Sequence, residues 1–77
     1  MEIIETIRLA LREAERENRK MATFHSLVLI HADVLRNMDP HEFCQSVDVP
    51  DSYCTEFRKM ISAKHTLAGL GYTIAAN

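Results

Sequence analysis

Apolar residues recur at helical spacing through the first half of the chain, and this periodicity most strongly constrains its fold. A helix predicted over residues 2–20 carries one apolar stripe, formed by Ile3, Ile7, Leu11 and Ala14. Glu and Arg residues occupy the other faces, where pairs three or four residues apart would lie on a solvated surface. The chain is therefore expected to begin with an amphipathic helix that packs on a core.

The second helix is predicted to begin after Thr23, whose hydroxyl can cap it. It is the most apolar segment of the chain, with Phe24, Leu27, Val28, Ile30, His31, Val34, Leu35 and Met38. Residues 19–21 contain no Gly or Pro, so the sequence leaves open whether the first two helices are separate or one bent rod. We favour a break there.

Two further helix starts follow in the second half of the chain. The carboxylate of Asp39 can cap a short helix that reaches about Val47. Pro40 suits the first turn of that helix because it has no amide N–H that would need a hydrogen-bond partner. Pro50 lies near the start of the next helix, where the side chains of Asp51 and Ser52 can bond free amides. Its latest end is marked by the glycines at positions 69 and 71, and residues 72–74 are expected to be extended.

Composition agrees with a small all-α domain of four or five helices. The 77 residues include only two Gly and two Pro, with 47% hydrophobic and 26% charged side chains. No apolar run approaches the roughly 18 residues of a membrane span. The N-terminus has Glu2 and Glu5 where a secretory signal would be basic. We expect a single cytoplasmic domain over residues 1–77.

The segment from residue 43 to residue 57 has a distinctive spacing of apolar and small residues, namely Phe43, Cys44, Val47, Val49, Cys54 and Phe57. These intervals resemble the helix-turn-helix superfamily, in which two short helices cross steeply around a small side chain. The resemblance places Cys44 at the crossing and Val49 in the turn. Cys54 and Phe57 then anchor the second helix, so the two cysteines should be neighbours and, in a cytosolic chain, reduced.

The resemblance also implies a division of the chain. Residues 1–38 form a two-helix part, residues 39–71 the helix-turn-helix-like part and residues 72–77 a tail. Asp48 stands where the family most often has Gly, and Asp tolerates the left-handed backbone of such a turn. Residues 67–74 resemble the start of a wing strand in winged relatives. Only one such strand precedes Asn77, so the chain is interpreted as the N-terminal piece of a longer protein.

By position, the helix after Pro50 would be the recognition helix of a DNA-binding module that acts in regulation or within a larger protein. The outward side chains at its start are predicted to be Ser52, Tyr53, Thr55, Glu56 and Lys59. Hydroxyl, carboxylate and ammonium groups can all read base edges in the major groove of double-stranded DNA. The alternative is that these residues form only the polar face of a surface helix.

The distribution of charged residues favours the alternative that this helix has only a polar surface and does not bind DNA. Residues 1–38 balance six basic against six acidic side chains, whereas residues 39–77 carry three basic and five acidic ones. This balance works against strong binding to phosphate. The rival function is a protein-interaction or dimerisation module, because a small chain with a strongly apolar second helix can cover it by pairing.

The sequence contains no motif that is typical of catalysis or of metal binding. There is no Gly-rich phosphate loop, no Ser/His/Asp order and no activated cysteine, so we expect neither an enzyme nor a small-molecule substrate or cofactor. The four histidines fall at no spacing that places two on one helical turn, and the two cysteines match no zinc-knuckle pattern. No metal site is predicted.

Overall fold

The computed structural model describes residues 2–74, which form five α-helices and contain no strand. The helices are α1 Glu2–Arg16, α2 Lys20–Ile30, α3 Ala32–Leu35, α4 Pro40–Ser46 and α5 Tyr53–Gly69. The prediction of an all-α domain with four or five helices is confirmed.

The first helix buries its apolar stripe but is shorter than predicted. Its buried residues are Ile4, Ile7, Leu11 and Ala14, so Ile4 is buried in place of the predicted Ile3, which is half-buried. The helix ends at Arg16 because Asn18 adopts a left-handed conformation with φ of 58°. The amides of Asn18 and Arg19 then donate to the carbonyls of Glu15 and Ala14, the pattern of a Schellman helix end. The break between α1 and α2, which we favoured, is confirmed, and Asn18 produces it without Gly or Pro.

The second helix differs from its prediction at both ends. Thr23 is not its cap, because α2 begins at Lys20 and the Thr23 amide already donates to the carbonyl of Arg19. The helix also stops at Ile30, and α3 follows after His31, whose φ and ψ are −102° and 16°. Nothing in the local sequence explains this interruption. Residues 20–35 therefore form two helical segments instead of one.

Three phenylalanines connect the helices at the centre of the core. Phe24 of α2, Phe43 of α4 and Phe57 of α5 are at most 2% exposed. The ring centroids of Phe24 and Phe43 are 5.9 Å apart, and those of Phe43 and Phe57 are 4.7 Å apart. Because aromatic rings bury much apolar area, this cluster fixes α2, α4 and α5 relative to one another.

The fourth helix starts as predicted, whereas the fifth does not. Asp39 Oδ2 accepts a hydrogen bond of 3.1 Å from the Glu42 amide, and Pro40 occupies the first turn of α4. At the start of α5 the Ser52 side chain makes no capping bond. Backbone bonds replace the predicted side-chain caps, with the amides of Tyr53 and Cys54 donating to the carbonyls of residues 50 and 51.

The last helix ends within the predicted limits. It stops at Gly69, and Gly71 has a φ of 88°. Residues 72–74 follow without regular secondary structure, and residues 75–77 of the predicted tail lie outside the described residues. The second strand that a wing requires is therefore not found within residues 2–74.

Candidate nucleic-acid interface

The crossing of α4 and α5 is built around the two cysteines. Cys54 Sγ donates a hydrogen bond to Cys44 Sγ over 3.6 Å, and both thiols are free. The predicted neighbours are therefore confirmed. Burial, together with the hydrogen bond to Cys54, raises the pKa of Cys44 to about 12, so this thiol stays protonated at neutral pH. The helices can approach closely because Cys44 is small.

The turn between these helices has a left-handed residue at the position that the motif requires. Asp48 has a φ of 63°, and the amides of Asp48 and Val49 donate to the carbonyls of Gln45 and Cys44. This is a second Schellman end, and it points Val49 into the core, where it is 9% exposed. All six predicted motif residues are buried, namely Phe43, Cys44, Val47, Val49, Cys54 and Phe57. The geometry is that of a helix-turn-helix unit.

Three of the five predicted DNA-reading residues lie on the exposed side of the second motif helix. Ser52, Thr55 and Lys59 are all exposed to solvent. They lie along the first two turns of α5 and just before it, where the recognition helix of the superfamily presents its side chains. The structure thus brings these three together on one accessible surface.

Tyr53 does not point outward as expected. It is half-buried, and its ring meets Phe24 edge-on with centroids 5.0 Å apart and an interplanar angle of 87°. Lys20 Nζ lies 5.8 Å from the centre of the same ring. Tyr53 is one turn before Phe57, on the side of α5 that faces α2, so its ring is used for packing.

Glu56 also faces α2 and is bound there. Its Oε1 accepts a hydrogen bond of 2.7 Å from His25 Nε2, and Lys59 Nζ donates to its Oε2 over 3.3 Å. The hydrogen bond from His25, followed by that from Lys59, lowers the pKa of Glu56. This carboxylate is committed within the domain, which corrects the expectation that it points towards a partner.

The exposed face of α5 continues further than the sequence interpretation assumed. A shallow surface depression, which Ala63 and Leu67 also line, joins Thr55 and Lys59 to Arg58, Ser62 and Thr66. Ser62 and Thr66 were not predicted because only the start of the helix was assigned to DNA reading, and Arg58 was not predicted although it precedes Lys59. Continuing the three- and four-residue spacing from Thr55 would have found them. Below, "the outer face" means Ser52, Thr55, Arg58, Lys59, Ser62 and Thr66.

A family model described as "HTH-like domain" matches residues 1–67. The chain belongs to this HTH-like domain family. The match includes α1 to α4 and most of α5, so the N-terminal helices are part of the family's unit. Neither the curated proteins nor the solved structures that were compared gave a match. None of the helices described in residues 2–74 has the length and apolar character needed to cross a bilayer.

Charge changes sign along the second half of this HTH-like domain. Between residues 37 and 57 there are five acidic residues and neither Lys nor Arg. After Glu56 the pattern reverses, since Arg58, Lys59 and Lys64 are followed by no Asp or Glu. The turn is therefore acidic, whereas the body of α5 is basic.

A groove of about 570 Å³ lies beside the outer face, where the HTH-like domain packs α3 against α5, and Arg58 and Ser62 line both surfaces. Met38, Phe57 and Ile61 contribute apolar surface to its floor. Four charged residues also line it, namely Asp33, Arg36, Arg58 and Lys64. An apolar floor with a mainly basic rim is suited to a partner that is apolar on one side and acidic on the other.

Proposed function

We propose that this HTH-like domain binds double-stranded DNA, with α5 as the recognition helix and the outer face in the major groove. The observation that carries the proposal is the exposed row of hydroxyl and cationic side chains on the second helix of the unit. The major groove is about 12 Å wide and admits an α-helix. Such a module would act in regulation or as the recognition domain of a larger protein.

Different chemistry suits the two kinds of side chain on the outer face. Thr55 and Ser62 can donate to or accept from base edges, whereas Arg58 and Lys59 can bind guanine or phosphate. Lys59 would have to leave Glu56, which costs little because ion pairs at exposed sites contribute about 0–1 kcal/mol. The acidic turn would stay outside the groove.

The net negative charge of the chain should limit how strongly DNA affinity depends on salt. A chain with a net charge of −2 has few cations to place on phosphates, so non-specific affinity should be modest. Each phosphate contact contributes about −0.9 to the slope of log K against log salt. Because the outer face offers only Arg58 and Lys59, with Lys64 nearby on the same helix, we expect a slope of roughly −2 to −3.

The test is a fluorescence anisotropy titration of a labelled duplex of random sequence at several salt concentrations. The proposal expects binding at low salt that weakens as salt rises, even without the cognate site. Absence of binding at the lowest salt, or an affinity that does not depend on salt, would contradict it.

The second candidate function is binding of a protein segment, and the groove between α3 and α5 favours it. Its basic rim fits an amphipathic segment with acidic residues on one face. Paired charge reversals, Arg36→Glu and Lys64→Glu, should abolish capture of such a peptide, while Arg16→Glu on exposed α1 should not.

Self-association is less favoured than the sequence suggested, because α2 already packs between α1 and α5, with Phe24 and Val28 fully buried.

A further inference from the structure

Three side chains that can bind metal ions meet beside the turn between α4 and α5. His41 comes from the first turn of α4, Asp51 from the turn and Cys54 from the first turn of α5. Cys54 Sγ lies 3.5 Å from His41 Nδ1, which in turn lies 3.7 Å from Asp51 Oδ1. All three donor atoms lie within 4.8 Å of one another. Helical spacing could not reveal this cluster, because its members belong to three different segments.

These separations are close to those of ligand atoms around one zinc ion. Tetrahedral zinc has Zn–S near 2.3 Å and Zn–N or Zn–O near 2.0–2.2 Å, which places adjacent ligand atoms roughly 3.3–3.8 Å apart. The sulfur–nitrogen distance of 3.5 Å falls in this range, and the nitrogen–oxygen distance of 3.7 Å is roughly 0.3 Å longer than two such ligands would have on one zinc ion. Small rotations of exposed side chains would therefore complete the geometry.

The donor set selects the class of metal. One thiolate, one imidazole and one carboxylate suit borderline-soft ions such as zinc, whereas calcium and magnesium prefer oxygen donors alone. An ion can enter from solvent, because the side chains of His41 and Asp51 are 58% and 74% exposed. The acidic segment from residue 37 to residue 57 adds a favourable field for a cation.

We propose that His41, Asp51 and Cys54 form a zinc site that links the start of α4 to the start of α5. Three protein ligands leave the fourth position of a tetrahedral ion to water or to a group of a partner. The site does not depend on the proposed DNA binding. Metal binding would stabilise the helix crossing, because it joins two helices that are separate in sequence.

Cys44 is a supporting residue of this site and not a ligand. Its sulfur is 3.6 Å from Cys54 Sγ, and its side chain is completely buried, away from any entering ion. When Cys54 binds a metal ion as the thiolate and releases its proton to solvent, the Cys44 thiol can donate a hydrogen bond to the bound sulfur. Hydrogen bonds of this kind orient metal ligands.

The first test is titration of the reduced domain with Co²⁺, whose spectrum reports thiolate ligation and tetrahedral geometry. The expected result is a thiolate-to-cobalt charge-transfer band with strong visible bands, both displaced by Zn²⁺. Cys54→Ala should lose the charge-transfer band, and His41→Ala and Asp51→Asn should bind at least tenfold more weakly. Cys44→Ala should keep the band, and His65→Ala, a histidine in the groove, is the matched control.

A thermal measurement keeps the proposal falsifiable if Cys54→Ala fails to fold. His41 and Asp51 are exposed, so their variants should fold, which circular dichroism can verify. Zn²⁺ well above its Kd should raise the Tm of the wild-type domain by about 5 °C or more and that of His41→Ala by clearly less, because the variant binds more weakly. Absence of a thiolate band in the wild type, or wild-type affinity in both His41→Ala and Asp51→Asn, would overturn the proposal.

Discussion

At the scale of single residues, the helix crossing depends on the size of the side chain at position 44. Cys44 is completely buried and touches the first anchor of α5 through its sulfur. Protein interiors are close-packed, so a larger side chain here must displace α4 from α5. The identity of this one residue therefore controls the angle at which the unit presents its second helix.

Two substitutions of Cys44 should separate size from chemistry. Cys44→Leu is expected to lower the free energy of unfolding by about 1–3 kcal/mol through overpacking, and Cys44→Ala by clearly less. Urea unfolding of the reduced proteins measures both. A leucine variant as stable as the alanine variant would show that the crossing has room to spare, against the close packing described above.

Residues with positive φ show how far turns can be predicted from this sequence. Asp48 was predicted through the motif, whereas Gly71 was predicted only to mark the latest end of α5, and its positive φ is one that glycine adopts without strain. Asn18 ends α1 in the same way but was missed, since it lies in a polar run where the helical pattern continues on either side. The tendency of Asn to adopt a left-handed backbone was too weak a signal to predict a helix end within a continuing helical pattern.

At the scale of elements, α5 has an inner and an outer face with different roles. The inner face carries Glu56, whose carboxylate is held by His25 of α2. The outer face carries the hydroxyl and cationic groups that the proposed function uses. The sequence predicted the helix but assigned Tyr53 and Glu56 to the wrong face. Polarity alone does not reveal that an aromatic ring and a carboxylate will find partners on α2.

The pair of His25 and Glu56 should make stability depend on pH. Because the pKa of Glu56 is lowered in the folded state, its contribution is present above the ordinary glutamate value of about 4.3 and is lost as pH falls through the lowered value. Glu56→Gln should therefore have a lower Tm than the wild type at neutral pH, and the difference should shrink in acid. Glu17→Gln, on the exposed loop after α1, is the control; a gap of equal size at all pH values would contradict this account.

Two substitutions on the outer face should weaken specific DNA binding. Thr55→Ala and Lys59→Ala are each expected to cost about 1–3 kcal/mol of binding free energy. Their Tm should change little, because both side chains are exposed and the ion pair of Lys59 with Glu56 contributes about 0–1 kcal/mol. Lys59→Ala should also reduce the salt slope by about 1 if its ammonium contacts phosphate. Arg16→Ala, an exposed cation on α1, should change neither quantity. Wild-type affinity in both outer-face variants would remove the assignment.

At the scale of the whole molecule, the all-α fold was predictable because helical periodicity is a local property. The packing of α2 against α5 and the cluster of His41, Asp51 and Cys54 were not, because they depend on the angles between helices. The expected absence of a metal site was based on spacing within single helices, whereas the proposed site spans a turn. Local patterns thus identify the helices, and tertiary packing decides which side chains meet.

Whether the outer face of α5 enters DNA, as we propose, can be measured by NMR of the isotope-labelled domain titrated with duplex at low salt. We expect chemical shift changes to concentrate at residues 52–66, on Thr55, Arg58, Lys59 and Ser62, with α1 unaffected. Changes confined to the groove residues of α3, or no changes at all when duplex is in excess, would contradict it.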